Sequence, residues 1–252
     1  MTKNRKNPLR EESTLIDSDV RQNDIKSGFT LAEVLITLGI IGVVAALTIP
    51  GLMTAHKAAR MRSQFLKSYS TVQQVFRQMD ADDVSTDISS YQGKMGSFYN
   101  AFKVYLKGVH ECGVYTNTKN EYPCLGQSIY PQKRYKSLNG KRDIGWALFD
   151  DGQLVLPDGT WLGIENPNGV NRVWIFVDIN GSTTPPNRLG YDLFTFEFIN
   201  GELRTMGDIE TAYNDFEKYC SLTSNDGFNG IACAHKAKTQ SDYFKWVIKN
   251  VK

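Results

Sequence analysis

From Phe29 to Ile49 the chain reads FTLAEVLITLGIIGVVAALTI, a run of 21 residues whose one ionisable side chain is Glu33. At about 1.5 Å per residue, a helix of this length spans about 30 Å, the thickness of a bilayer's hydrocarbon core. The core helix of a soluble protein keeps a polar face toward water, and this run has none. The block therefore predicts a membrane-inserting helix over 29–49. Pro50-Gly51 interrupts the run, and charge returns at Lys57, Arg60 and Arg62. Proline lacks an N–H and disfavours helix at the residue before it, so a kink or a short melted stretch is expected at Pro50.

Glu33 is the anomaly in the block. A carboxylate is costly in hydrocarbon, so it must sit near the interface or meet a positive partner at the same depth. The residues ahead of the block do not read as structure. Residues 1–28 carry six Lys/Arg, five Asp/Glu and almost no apolar periodicity. A secretory signal peptide places a short apolar region before its cleavage site. Here the order is reversed: a polar leader ends in Lys26-Ser27-Gly28 and the apolar run follows.

The segment Lys26-Ser27-Gly28-Phe29-Thr30-Leu31-Ala32-Glu33-Val34-Leu35 resembles the processing site of type IV prepilins and type II secretion pseudopilins. The resemblance implies cleavage after Gly28 by a prepilin peptidase and N-methylation of the new N-terminal residue, Phe29. It implies that Glu33 pairs with the N-terminal amine of a neighbouring subunit during assembly, and it places Pro50 where pilins often carry a helix-loosening proline. It supplies the partner Glu33 requires, because an α-amine has a pKa near 8 and is mostly protonated at neutral pH. The likeness covers about 25 residues, a tenth of the chain, and the rest is read from its own pattern.

Beyond Pro50, Met61, Phe65, Tyr69, Val72, Phe76 and Met79 recur at helical spacing and form one stripe. The stripe predicts an amphipathic continuation over 50–80 that packs onto a sheet, a coiled-coil partner being the lesser reading. The acidic stretch 80–90 ends the helix, and Ser97–Leu106 suits a short one. Gly108–Gly140 reads as irregular loop. Strands are expected at Gly145–Phe149, Gln153–Leu156, Thr160–Ile164, Arg172–Ile179, Asp192–Ile199 and Glu202–Thr205, with Gly-bearing turns between several of them. Ile209–Tyr219 and Asp242–Val251 read as closing helices. The expected fold is α+β and pilin-like: a long N-terminal helix on an antiparallel sheet, with short C-terminal helices. The expected division is a cleaved leader (1–28), a membrane or filament-core helix (29–49), its amphipathic continuation (50–80) and an extracytoplasmic globular domain (81–252).

Four cysteines, Cys112, Cys124, Cys220 and Cys233, form two local pairs. An even number in loop-like surroundings suits disulfides in an oxidising compartment. Of three pairings, 112–124 with 220–233 closes the shortest loops and is the one expected. A zinc site competes poorly, because its cysteines usually lie two to four residues apart. The resemblance adds that many pilins carry a disulfide-bounded loop near the C-terminus, as 220–233 would be.

Asp178, Asn180 and Ser182 place oxygen ligands on alternate residues of a loop that closes at Asp192, as a hard cation such as Ca²⁺ demands. The bidentate glutamate of an EF-hand is missing, and a plain turn with Asp and Asn bonded to their own backbone is the stronger reading. Some pseudopilins bind calcium in a late loop, so the resemblance keeps Ca²⁺ open at Asp178, Asn180, Ser182 and Asp192; no other cofactor is required. His56, His110 and His235 are scattered, and neither a phosphate-binding glycine loop nor a nucleophile motif occurs. The chain is therefore not expected to be an enzyme.

Lys+Arg 29 against Asp+Glu 27 gives a net charge of +2, which makes nucleic acid the weaker partner class. The charges flanking the apolar block are nearly balanced, three basic residues in 9–28 against four in 51–70, so orientation rests on the cysteines and on the resemblance. Together these imply a structural subunit of a type IV pilus or type II secretion pseudopilus. Its implied partners are prepilin peptidase, other pilin or pseudopilin subunits, an inner-membrane assembly platform and membrane lipid. It would sit in the inner membrane as a single-pass precursor with its leader in the cytoplasm and its mature body in the periplasm or outside the cell. A competence (DNA-uptake) pilin and a membrane-tethered adhesive domain that never polymerises are the alternatives.

Overall fold

Helix α1 spans Leu31–Ala81 without a break. The computed structural model describes residues 28–114, 124, 134–166 and 171–251, so the expected leader lies outside the described residues except for Gly28. The chain divides into two units, Met1–Leu47 and Thr48–Lys252. In the first, the apolar residues of α1 face outward on every side, which is unsustainable in water. In the second, α1 is amphipathic: Met61, Phe65, Tyr69, Val72, Phe76 and Met79 are all buried, and the sequence stripe is the packing stripe.

The melted stretch expected at Pro50 does not form. Pro50 lies inside the helix, and the Thr54 hydroxyl donates to the Pro50 carbonyl at 2.9 Å. A proline removes a single i→i−4 bond, and here the turns on either side keep theirs.

Six antiparallel strands form one meander in the order β1–β2–β3–β4–β5–β6. They are β1 His110–Gly113, β2 Gly152–Val155, β3 Trp161–Glu165, β4 Val173–Asp178, β5 Leu193–Ile199 and β6 Glu202–Thr205. Alternation along β5 sends Phe194, Phe196 and Phe198 to one face. There Phe65 meets Phe194 and Phe196 with ring centroids 4.8 and 5.6 Å away, and Phe76 stacks on Phe198 at 3.9 Å. The C-terminal helix α5, Tyr243–Asn250, shares that face through Phe244, 5.7 Å from Phe194. The opposite face is covered too, with Phe149 edge-on to Trp161 and Phe176. Gly163 leaves the room Trp161 fills, since a Cβ there would stand 2.5 Å from the indole. Every residue of β5 is buried, including the polar Thr195 and Glu197 on the face opposite the three phenylalanines.

Among the described residues the body also holds three shorter α-helices, α2 Ser97–Phe102, α3 Phe216–Tyr219 and α4 Cys233–Thr239. Several expectations need correction. Gly145–Phe149 is not a strand; Trp146–Leu148 forms a 3₁₀ turn that delivers Phe149 to the core. The stretch read as loop contains β1, too short to show alternation. The helix expected over Ile209–Tyr219 shrinks to α3, because the Ala212 N–H is taken by Glu197 of β5 at 2.8 Å and Asp215 caps a later start through the N–H groups of Glu217 and Lys218. Helix α4 had no expectation. Arg62 of α1 donates to the Ala237 and Gln240 carbonyls at its C-terminal end, at 3.4 and 3.1 Å, where a cation meets the negative end of the helix dipole.

Candidate functional site

The first helical turn arranges the residues singled out for processing and assembly. Thr30 precedes the first helical residue, Leu31, and Glu33 is the third residue of α1. The Glu33 N–H donates to the Thr30 hydroxyl oxygen at 3.2 Å, while the Glu33 carboxylate accepts the Thr30 N–H at 2.8 Å. This reciprocal pair is a capping box, which satisfies donors a helix start otherwise leaves free. The sequence carried its signature, Thr-x-x-Glu, and the charge anomaly at Glu33 drew the reading elsewhere. Glu33 thus has a local role beside any role between subunits.

Gly28 and Phe29 sit just ahead of the cap. Phe29 is 87% exposed, and a Cβ built on Gly28 would meet nothing within 4 Å. No contact within the described residues requires a glycine there. Downstream, Leu31, Leu35, Ile36, Leu38, Ile40, Ile41, Val43 and Leu47 are each at least 60% exposed. Helix α1 is long and apolar enough to cross a membrane, and its most apolar window buries nothing against the protein.

In the body, Cys112 bonds to Cys124 and Cys220 to Cys233, with Cα atoms 5.7 and 5.1 Å apart. Short closed loops of this size contribute about 2–3 kcal/mol each. The loop between β4 and β5 brings Asp178, Asn180 and Asp192 together. Asp178 accepts the Asn180 N–H at 3.2 Å and the Tyr135 hydroxyl at 2.9 Å. Asp192 accepts the Arg188 and Asn187 N–H groups at 2.7 and 2.9 Å. Ser182 turns aside and donates to the Cys124 carbonyl at 2.8 Å. All four carboxylate oxygens therefore receive donors from the protein, as in a connection bonded to its own backbone. Burial pushes Asp192 up to about 6 and Asp178 well above the ordinary carboxylate range, the latter reinforced by its neighbour Asp192.

A second carboxylate group escaped the sequence reading. Asp150, Asp151 and Glu165 bring oxygens within 4.8 Å of one another. Burial, then the charges of Asp150 and Asp151, push Glu165 up to about 9. At neutral pH Glu165 therefore holds a proton that bonds Asp150, while Asp151 accepts the Asn166 N–H at 2.8 Å. Glu197 of β5 is fully buried and ionically paired with Arg172 at 3.1 Å. It also accepts the Trp174 indole N–H at 3.0 Å. His110 lies beside Cys112 and Cys124, whose sulfurs are joined and offer no thiolate.

Residues 25–49 match the family model of the prokaryotic N-terminal methylation motif. The chain thus carries the N-terminal signature of type IV prepilins and pseudopilins. That motif points to a pilin-like, structural protein and fits a precursor anchored in the inner membrane. No curated protein and no solved structure matches the chain.

Proposed function

We propose that this chain is a structural subunit of a type IV pilus or type II secretion pseudopilus, cut after Gly28 and N-methylated at Phe29 by a prepilin peptidase, then polymerised through α1. The observation that carries the reading is the junction itself. A methylation motif over residues 25–49 coincides with a sterically unconstrained glycine, an exposed Phe29 and an outward-facing apolar helix. In the membrane that helix contacts lipid. On extraction it would exchange lipid for the helices of other subunits, since exposure to water is excluded by its apolar surface. The two disulfides suit a body outside the cytoplasm.

Mass spectrometry of the chain recovered from a host with an active prepilin peptidase tests this. An N-terminal methylated Phe29 is the expected result, and an uncut chain beginning at Met1 in the membrane overturns it. Electron microscopy of sheared surface material, probed with an antibody to the body, then separates a surface pilus from a periplasmic pseudopilus.

A further inference from the structure

The charges of α1 are segregated in a way its own fold does not explain. Between Glu33 and Asp80 the chain holds five Lys/Arg and no Asp or Glu. Two of the five are committed to the body through hydrogen bonds, Lys57 to the Tyr191 hydroxyl at 2.9 Å and Arg62 to the end of α4. Lys67 meets Asp158 at 2.7 Å yet leaves its side chain 64% exposed. Arg60 and Arg77 are exposed and make no ion pair or hydrogen bond with any described residue. The last turn of α1 shows the reverse imbalance. It holds no basic residue and carries Asp80, with Asp82 and Asp83 directly after. Asp80 and Asp83 are exposed and have no cationic partner among the described residues. Carboxylates at the C-terminal end of a helix oppose its dipole, so this placement costs stability in the isolated chain.

We propose that a second copy of this chain supplies the partners that Arg60 and the acidic end lack, Asp80 and Asp83 at the end of one α1 lying against Arg60 of another. The inference rests on the polymerisation reading and names the surface it uses. Twenty residues separate Arg60 from Asp80 along α1, which at 1.5 Å per residue is about 30 Å. Two parallel copies sharing this contact are therefore staggered by about 30–35 Å along the helix axis. The same stagger applied again continues the row, so the contact is head-to-tail and propagates rather than closing as a dimer. Arg60 is suited to the role, since its planar fork can take two carboxylate oxygens at once.

The test compares full-length chains expressed with the peptidase and assembly machinery: wild type, Arg60→Asp, Asp80→Arg/Asp83→Arg, and all three substitutions together. Each single-sided reversal is expected to lower the yield of sheared filaments at least fivefold, and the combined swap to restore it to within twofold of wild type. Equal thermal midpoints of the body and equal N-methylation of Phe29 keep folding and processing out of the readout. Filaments of wild-type yield from either reversal, or no recovery in the combined variant, overturn the charge contact and leave polymerisation standing. Processed wild-type chain that forms no filament at all overturns the polymerisation reading, and this contact with it.

Discussion

The Glu33 carboxylate accepts both the backbone N–H and the hydroxyl of Thr30, each at 2.8 Å. The side chain closes its own helix, and the proposed polymerisation gives it a second task, neutralising a neighbour's amine. Glutamine separates them, because its amide oxygen still accepts the Thr30 N–H in a capping box but carries no charge. Glu33→Gln is expected to keep Phe29 N-methylation and lower filament yield at least tenfold. Thr30→Val, which removes the hydroxyl half of the cap and keeps the carboxylate, is expected to assemble better than Glu33→Gln. If Glu33→Gln assembles like wild type, the carboxylate serves the helix start alone.

Gly28 gives a second separation. A methyl group there meets nothing within 4 Å, so Gly28→Ala has no steric consequence in the described fold. It is expected to leave the thermal midpoint of the body unchanged and to block cleavage, which shows on a denaturing gel as a band retaining the 28-residue leader. Cleavage at the wild-type rate would place the recognition determinant elsewhere in the motif.

Features encoded within one stretch of chain were readable from sequence. The 29–49 block and the Met61-to-Met79 stripe are periodic signals on a single helix, and β4 and β5 announced themselves by their density of aromatic and β-branched residues. Contacts made across strands were not readable. Asp150-Asp151 looked like turn residues, and the β2–β3 register that sets Gly152 opposite Ile164 is what carries Glu165 to them. Glu197 and Arg172 meet only through the β4–β5 pairing. Gly145–Phe149 has strand composition, yet Leu148 and Phe149 are buried over a sheet already built by others. In the candidate site, Gly28, Phe29 and Glu33 were legible as a motif, while the capping box joining Thr30 to Glu33 was present in the letters and passed over.

The Asp150–Asp151–Glu165 group makes stability depend on pH with a defined sign. Glu165 titrates near 9 in the folded chain against about 4.3 when unfolded. Its contribution is therefore complete below about pH 4 and is lost as pH rises toward 9. Asp192, at about 6, has finished titrating in the upper part of that window. Between pH 6.5 and 9 the melting temperature of the wild type should fall by a few °C, less than the one-proton limit of about 1.4 kcal/mol per pH unit implies. Glu165→Gln keeps the neutral form and should make the curve shallower in that window, the remaining slope belonging to Asp178, which burial also holds well above the ordinary range. Equal slopes for both proteins would show that Glu165 is ionised throughout.

Glu197 supports the sheet from beneath. Its carboxylate is fully buried and gathers Arg172, the Trp174 indole and the Ala212 N–H. It thereby ties β4 and β5 to the segment that leads into α3. Removing it takes a fully buried, charged acceptor away from a part-exposed guanidinium, a part-buried indole and an exposed backbone N–H, which costs up to about 3 kcal/mol. Glu197→Ala should lower the melting temperature of the body by roughly 10 °C. Glu197→Gln retains one acceptor oxygen but turns its NH₂ toward a donor, so it should fall between alanine and wild type. Arg172→Ala should cost less than Glu197→Ala, because Arg172 is 29% exposed and the carboxylate keeps its other two donors. An alanine variant at 197 that melts within 2 °C of wild type would mean that water reaches these donors and that the network carries none of the body's stability.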